Sequence, residues 1–189
     1  RGLICVPISS EVAQRLDLPP MVSNNTEVNK TAFTVSVDAR HGTTTGASAF
    51  DRAVTIRAIA DPHSKPSDFR RPGHVFPLRA ADGGVLQRAG HTEAAVDLAR
   101  LAGLQPVGVL CEIMDDRGHM AQLPELERLA EDMGIGLCSV RELISYRHRN
   151  EKLVQRLDSA RLPTPYGVFE IIDYQASVDT TPYVALVYG

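Results

Sequence analysis

Apolar positions along the chain follow two periods. Residues 2–8 (GLICVPI) are almost wholly apolar, as a strand covered on both faces would be. Ser9-Ser10 then read as a cap on a short helix over 11–16, closed by Pro19-Pro20, and Asn24-Asn25-Thr26 is turn-like. Residues 31–38 (TAFTVSVD) alternate, with Phe33, Val35 and Val37 on one face, which predicts a half-buried strand. Ser48 with Asp51 three residues on resembles a capping box with Asp in place of Glu, opening a helix over 49–60. Residues 65–79 carry Pro66, Pro72 and Pro77 and no clear period, so they read as a long loop. Ala94, Ala95, Leu98, Leu101 and Ala102 recur at helical spacing behind Thr92, a candidate N-cap, with Gly103 at the expected C-terminal cap.

The rest follows the same rhythm. Residues 107–113 (VGVLCEI) predict an apolar strand, and Pro124 opens a helix bearing Leu126, Leu129, Ala130 and Met133 on one face, with Gly134 behind it. A short strand over 135–138 leads to Ser139-Val140-Arg141-Glu142, a capping box whose helix turns basic and polar at Arg147, His148, Arg149 and Lys152. Composition changes at Arg161-Leu162-Pro163-Thr164-Pro165, and residues 166–172 and 183–188 read as two strands. Strands interspersed with helices predict an α/β (α+β) fold, a mixed sheet with flanking helices, over residues 1–157. A hairpin of about thirty residues cannot fold alone, so residues 158–189 read as the opening of a second domain.

Composition narrows the classes. The formal charge is -3 over 189 residues, and sparse aromatics accompany the basic residues after 146, which argues against a nucleic-acid surface. No apolar run approaches the ~20 residues of a membrane span, and the first residues are too short and strand-like for a signal peptide. Cys5, Cys111 and Cys138 each lie in an apolar run with no C-x-x-C pair, as core thiols in a reducing cytoplasm would. The chain starts with Arg inside a strand-like run and stops just after another strand, so it reads as a fragment cut at both ends.

Candidate chemistry gathers at Arg88-Ala89-Gly90-His91-Thr92-Glu93. A helix start aims backbone N–H groups outward, Gly90 permits close approach, and Arg88 supplies a planar permanent cation; phosphate is the usual anion bound by that combination. His91 can offer a nitrogen to a metal or a proton to a substrate. Alone, such a stretch also fits an ordinary loop–helix junction. The hydroxyl-rich His41-Gly42-Thr43-Thr44-Thr45-Gly46-Ala47-Ser48 feeds a second helix start, or is simple turn chemistry. His74 fits either an acid–base group or a packed imidazole. Glu112 sits in an apolar strand, where a carboxylate is paired, metal-bound or tuned for chemistry, unless it faces water at the strand end.

Taken together, the motif at 88–94, Arg71-Pro72-Gly73-His74-Val75-Phe76-Pro77-Leu78-Arg79, Thr44-Thr45-Gly46-Ala47-Ser48-Ala49-Phe50-Asp51-Arg52 and Gly108-Val109-Leu110-Cys111-Glu112 resemble the 3,4-dihydroxy-2-butanone 4-phosphate synthases of riboflavin biosynthesis, from residue 1 to about 146. Arg161-Leu162-Pro163-Thr164-Pro165-Tyr166-Gly167 onward is similar to the start of GTP cyclohydrolase II, to which that family is often fused. The resemblance implies a three-layer fold and conversion of D-ribulose 5-phosphate to the four-carbon product plus formate. It also implies catalytic roles for His74 and Glu112, and substrate binding by Arg88, Ala89, Gly90, His91, Thr92 and Glu112. His91 would ligate Mg2+ (or Mn2+), and the enzyme would be a homodimer in the cytoplasm, or in a plastid for a plant protein. The family carries an acidic loop ahead of the first strand here that contacts substrate and metal, so this chain alone is expected to be impaired. Two competing readings are a non-catalytic phosphosugar- or nucleotide-binding module and a scaffold for cyclohydrolase activity.

Overall fold

The computed structural model of the chain describes residues 3–176, 178 and 181–189. Its centre is β1 (Ile4–Ile8), which pairs in parallel with β3 (Phe69–Arg79) and antiparallel with β4 (Leu110–Cys111). Strand β2 (Val37–Ala39) pairs antiparallel with β3, giving a mixed four-stranded sheet of order β2-β3-β1-β4. The apolar run of β1 needs no alternation because Cys5, Val6, Pro7 and Ile8 are all buried. Gly2, expected to start this strand, lies outside the described residues. Val6 and Ile8 pack with Val12 of α1 (Ser10–Arg15), Leu16 at its C-cap, Ile59 of α2 (Ala49–Ala60), Val37, Phe69 and Val75. Each such side chain contributes roughly 1.5–3 kcal/mol by leaving water. Helix α3 (His91–Leu101) packs against β1 and β4, α4 is Leu123–Met133, and α5 (Val140–Asn150) packs against α3. No helix among the described residues is long and apolar enough to cross a membrane.

Helix signals translate directly. Ser9 accepts from the Val12 N–H, and Ser48 from that of Asp51. The Ser139–Glu142 capping box is closed in both directions, and Gly134 ends α4 at φ +63°. Strand signals translate less well. The expected 65–79 loop is in fact β3, preceded by a 3-10 turn at Pro66–Asp68. Pro77 lacks an N–H but its carbonyl accepts from Thr34, so the proline does not break the strand's outer pairing. The strand expected over 31–38 survives as Val37 and Asp38 in β2 plus single bridges at Phe33 and Thr34. Of its expected inward face Val37 is buried, and Val35 packs against the core while only partly buried, as is Phe33; Thr34 and Ser36 are buried as well, with Thr34 Oγ1 on the Pro77 carbonyl and Ser36 Oγ on the Gly73 N–H. The 107–113 strand shrinks to β4 plus a single bridge from Val107 to Ile8. Residues 135–138 form no strand.

A second, antiparallel sheet holds β5 (Val154–Thr164), β6 (Gly167–Ala176) and β7 (Pro182–Val187) in that order. It has three strands where two were expected, because β6 recruits the polar segment from Val154 along its whole length. Of the three cysteines only Cys5 is core; Cys111 and Cys138 are exposed. Burial, with Glu112 and Cys111 nearby, pushes the Cys5 thiol up to about 11, so it is a packing group and not a nucleophile.

Candidate active site

The start of α3 is built differently from the simplest expectation. Gly90, with extended φ -117° and ψ 156°, is the N-cap; Thr92 lies one residue inside the helix and is buried. Arg88 turns back over the glycine, donating from Nη1 to Glu93 Oε2 at 2.7 Å and from Nη2 to the Asn29 carbonyl at 3.2 Å. Glu93 is buried and also accepts the Ala81 N–H through Oε1. A Cβ on Gly90 would stand 2.6 Å from Glu93 Oε2 and 2.7 Å from Arg88 Nη1. The room left by the missing side chain is therefore filled by this ion pair, not reserved for a ligand.

His91, the first residue of α3, brings Nε2 to 3.8 Å from Glu112 Oε1, with the two side chains 65% and 41% exposed. Glu112 follows the last residue of β4, so it faces solvent at the strand end and the apolar cradle inferred for it does not form. Its place in the sheet matters more. Ile4 pairs with Cys111 in β4 and Cys5 with Phe76 in β3, so Glu112 and His74, one residue past Cys111 and two ahead of Phe76, both lie toward the N-terminal end of β1 on the strands that flank it.

Asp38 was not anticipated. Its Oδ2 lies 2.7 Å from His74 Nδ1 while Oδ1 accepts the His74 backbone N–H at 2.8 Å. With Nδ1 on the carboxylate, Nε2 is the nitrogen left for chemistry, and the His74 side chain is half exposed. A register shift between Val37 and Asp38 aims the carboxylate, and Gly73 is obligatory because a Cβ there would enter the Val37 and Asp38 backbone. The available signal was an acidic residue ending an alternating apolar run, the same hint that singled out Glu112.

The small-residue loop before α2 closes on itself. Asp51 accepts from the Thr44 N–H and hydroxyl and from the Gly46 N–H, so these donors are spent internally. Gly46 in turn has no room for a side chain because the Asp38 carboxylate lies against it. The Thr44 hydroxyl, then the Thr44 and Gly46 backbone donors, hold the Asp51 carboxyl below its ordinary 3.8. A depressed carboxyl stabilises the fold fully above the unfolded value and loses that contribution as pH falls through the folded one. Asp51→Asn should therefore lower Tm at neutral pH, and the gap to the native chain should close as pH falls below 3.8 in parallel thermal melts.

Among the described residues no three His, Cys, Asp or Glu side chains converge as a metal cage. A cavity of about 430 Å³ opens between Leu18, Met21, Phe33 and Arg79, and its lining holds none of the expected site residues. The candidate site is instead the open sheet end where His91 meets Glu112 and toward which His74 lies, with Arg88 held by Glu93 and Asn29 just ahead of α3.

A profile of the 3,4-dihydroxy-2-butanone 4-phosphate synthase family matches residues 1–146. The riboflavin biosynthesis protein RibBA of Nocardia farcinica is 54% identical over 190 residues, covering all of this chain and 46% of that protein. The chain thus spans about half the length of the curated relatives it matches. Among solved structures, RibBX, a two-domain 3,4-dihydroxy-2-butanone 4-phosphate synthase from A. baumannii, superposes with TM-score 0.90 at 46% identity, over 100% of this chain and 56% of that one. A 3,4-dihydroxy-2-butanone 4-phosphate synthase in complex with two magnesium ions superposes with TM-score 0.77 at 48% identity, over 79% and 74% of the two chains. The chain belongs to the 3,4-dihydroxy-2-butanone 4-phosphate synthase family.

Proposed function

We propose that this chain carries the site that converts D-ribulose 5-phosphate to L-3,4-dihydroxy-2-butanone 4-phosphate and formate, a lyase reaction in riboflavin biosynthesis. The observation that carries the reading is His91, at the start of α3, with its Nε2 3.8 Å from the Glu112 carboxylate. Enolisation beside a carbonyl needs a base and stabilisation of the charge that develops on oxygen. Glu112, open to solvent, takes the substrate proton. His74, held through Nδ1 by Asp38, presents Nε2 for the proton transfers that follow. Arg88, with Ala89, Gly90 and Thr92 forming the helix start, binds the phosphate, so the non-reacting end of the sugar orients the reacting one.

One imidazole beside one carboxylate suits magnesium or manganese that keeps most of its coordination for water and substrate oxygens. His91 would hold the cation. When bound, it supplies Lewis-acid stabilisation of negative charge on the substrate. A homodimer in the cytoplasm completes the reading. The amphipathic α4 has none of its residues buried, and Leu123, Met133, Ile135 and Leu137 beside it stand exposed, which favours a second copy as partner. The separate β5–β7 sheet supports a second unit as the start of a GTP cyclohydrolase II-like domain, opening with β5 at Val154 rather than at residue 158.

The test is formate release from ribulose 5-phosphate, by the chain alone and joined to the flanking segments its relatives carry. The joined form should turn over with magnesium, stop in EDTA and recover on adding magnesium back. Binding of the sugar phosphate with no formate from that form would overturn the reading.

A further inference from the structure

Arg88 owes its position to a carboxylate that touches no part of the proposed substrate path. Glu93 is buried to 2% exposure, yet it stands one turn from the helix mouth and takes two donors: the Ala81 N–H on Oε1 and Arg88 Nη1 on Oε2. The Ala81 bond anchors the carboxylate to the segment that follows β3. The 2.7 Å contact anchors the guanidinium to the carboxylate, while Asn29 steadies the other terminal nitrogen from a separate loop. Glycine at position 90 is what lets the pair lie flat across the helix start. Of the five N–H donors of a guanidinium, one goes to Glu93 and one to Asn29, which leaves three for an incoming anion.

We infer that Glu93 is a positioning residue, which locks the Arg88 fork in place so that it binds the phosphate of the substrate without first losing side-chain freedom. The inference rests on the phosphate-binding role proposed for Arg88. A free arginine samples many rotamers, and fixing it on binding weakens affinity. A carboxylate already holding one nitrogen in a buried setting removes that loss. The negative charge of Glu93 opposes an anion, but the Arg88 cation and the Ala81 N–H that it accepts from offset it. Preorganisation outweighs the residual repulsion. Glutamine cannot replace it: an amide that keeps the Ala81 N–H on its oxygen turns its own NH2 toward Arg88, donor against donor.

The experiment measures KM and kcat for ribulose 5-phosphate, and competitive inhibition by inorganic phosphate, in the magnesium-loaded full-length protein. Glu93→Gln should raise KM about tenfold, weaken phosphate inhibition by the same factor and leave kcat within about threefold. The effect should vanish in an Arg88→Met background, where the arginine it acts through is gone. Glu93→Asp keeps the charge and should recover part of the KM. If Arg88→Met raises KM but Glu93→Gln does not, or if Glu93→Gln acts equally without Arg88, the positioning role is overturned. If Arg88→Met leaves KM and phosphate inhibition unchanged, the phosphate role itself fails. Should Glu93→Gln not fold, Glu93→Asp decides the question: its smaller rise in KM should also vanish in the Arg88→Met background, and a rise that persists there overturns the positioning role.

Discussion

Replacing Glu112 by glutamine should slow formate production about a thousandfold while ribulose 5-phosphate still binds. The amide preserves the size of the side chain and its place at the end of β4, next to His91 Nε2, but cannot take a proton. Positioned acid–base groups contribute typically 10²–10⁴-fold, so a loss in that range marks a proton-transfer role. Binding should change much less, since the proposed phosphate grip is at the helix start and not at the carboxylate. Rapid-quench measurement of formate, beside calorimetric binding of the substrate, separates the two. A variant that retained a tenth or more of native turnover would remove Glu112 from the chemistry. His74 would then be the base, with Asp38 2.7 Å behind it.

The second large effect concerns stability. Arg147 donates from Nη1 to Asp97 Oδ2 at 2.8 Å and to the Gly83 carbonyl at 3.0 Å, while Nε and Nη2 form a fork to Glu151. Asp97 is buried and also accepts the Val85 N–H, so α5, α3 and the turn before α3 meet at one guanidinium. Arg147→Met would strand the Asp97 charge, and breaking such a pair costs about 3–5 kcal/mol. For a domain of this size that lowers Tm by roughly 10 °C. Adding Asp97→Leu to Arg147→Met should recover much of the loss, because the stranded charge is then gone. The Arg147 hydrogen bond also holds the Glu151 carboxyl below its ordinary 4.5. Its contribution is complete above that value and fades as pH falls through the folded one. Calorimetry of the two variants between neutral and acid pH checks both the size and the sign.

Helices were the legible part of this protein. The cap at Ser48, the box at Ser139–Glu142 and the glycine stop at Gly134 all act within one turn of chain, so neighbouring residues suffice to specify them. Strands were not, because pairing is long-range. Residues 65–79 look like a loop while their prolines are considered alone, and become β3 once β1 and β2 lie beside them. Thr34 and Ser36 look solvent-facing until the Pro77 carbonyl and the Gly73 N–H arrive to satisfy them. The site divides along the same line. His74, Arg88, His91 and Glu112 were visible as residue types in motifs. Asp38, 36 positions from His74 along the chain, was not, and neither was the capture of Arg88 by Glu93.

The order of residues alone pointed to the family, the helices and the side chains proposed to carry chemistry, since each depends on short motifs read in sequence. Folding decided which of those side chains meet. A register shift in β2 brings Asp38 onto His74, the end of β4 brings Glu112 to His91, and a glycine at 90 lets a buried carboxylate claim the arginine. Distances of a few ångströms between residues dozens of positions apart come from pairing and packing, which no local pattern encodes.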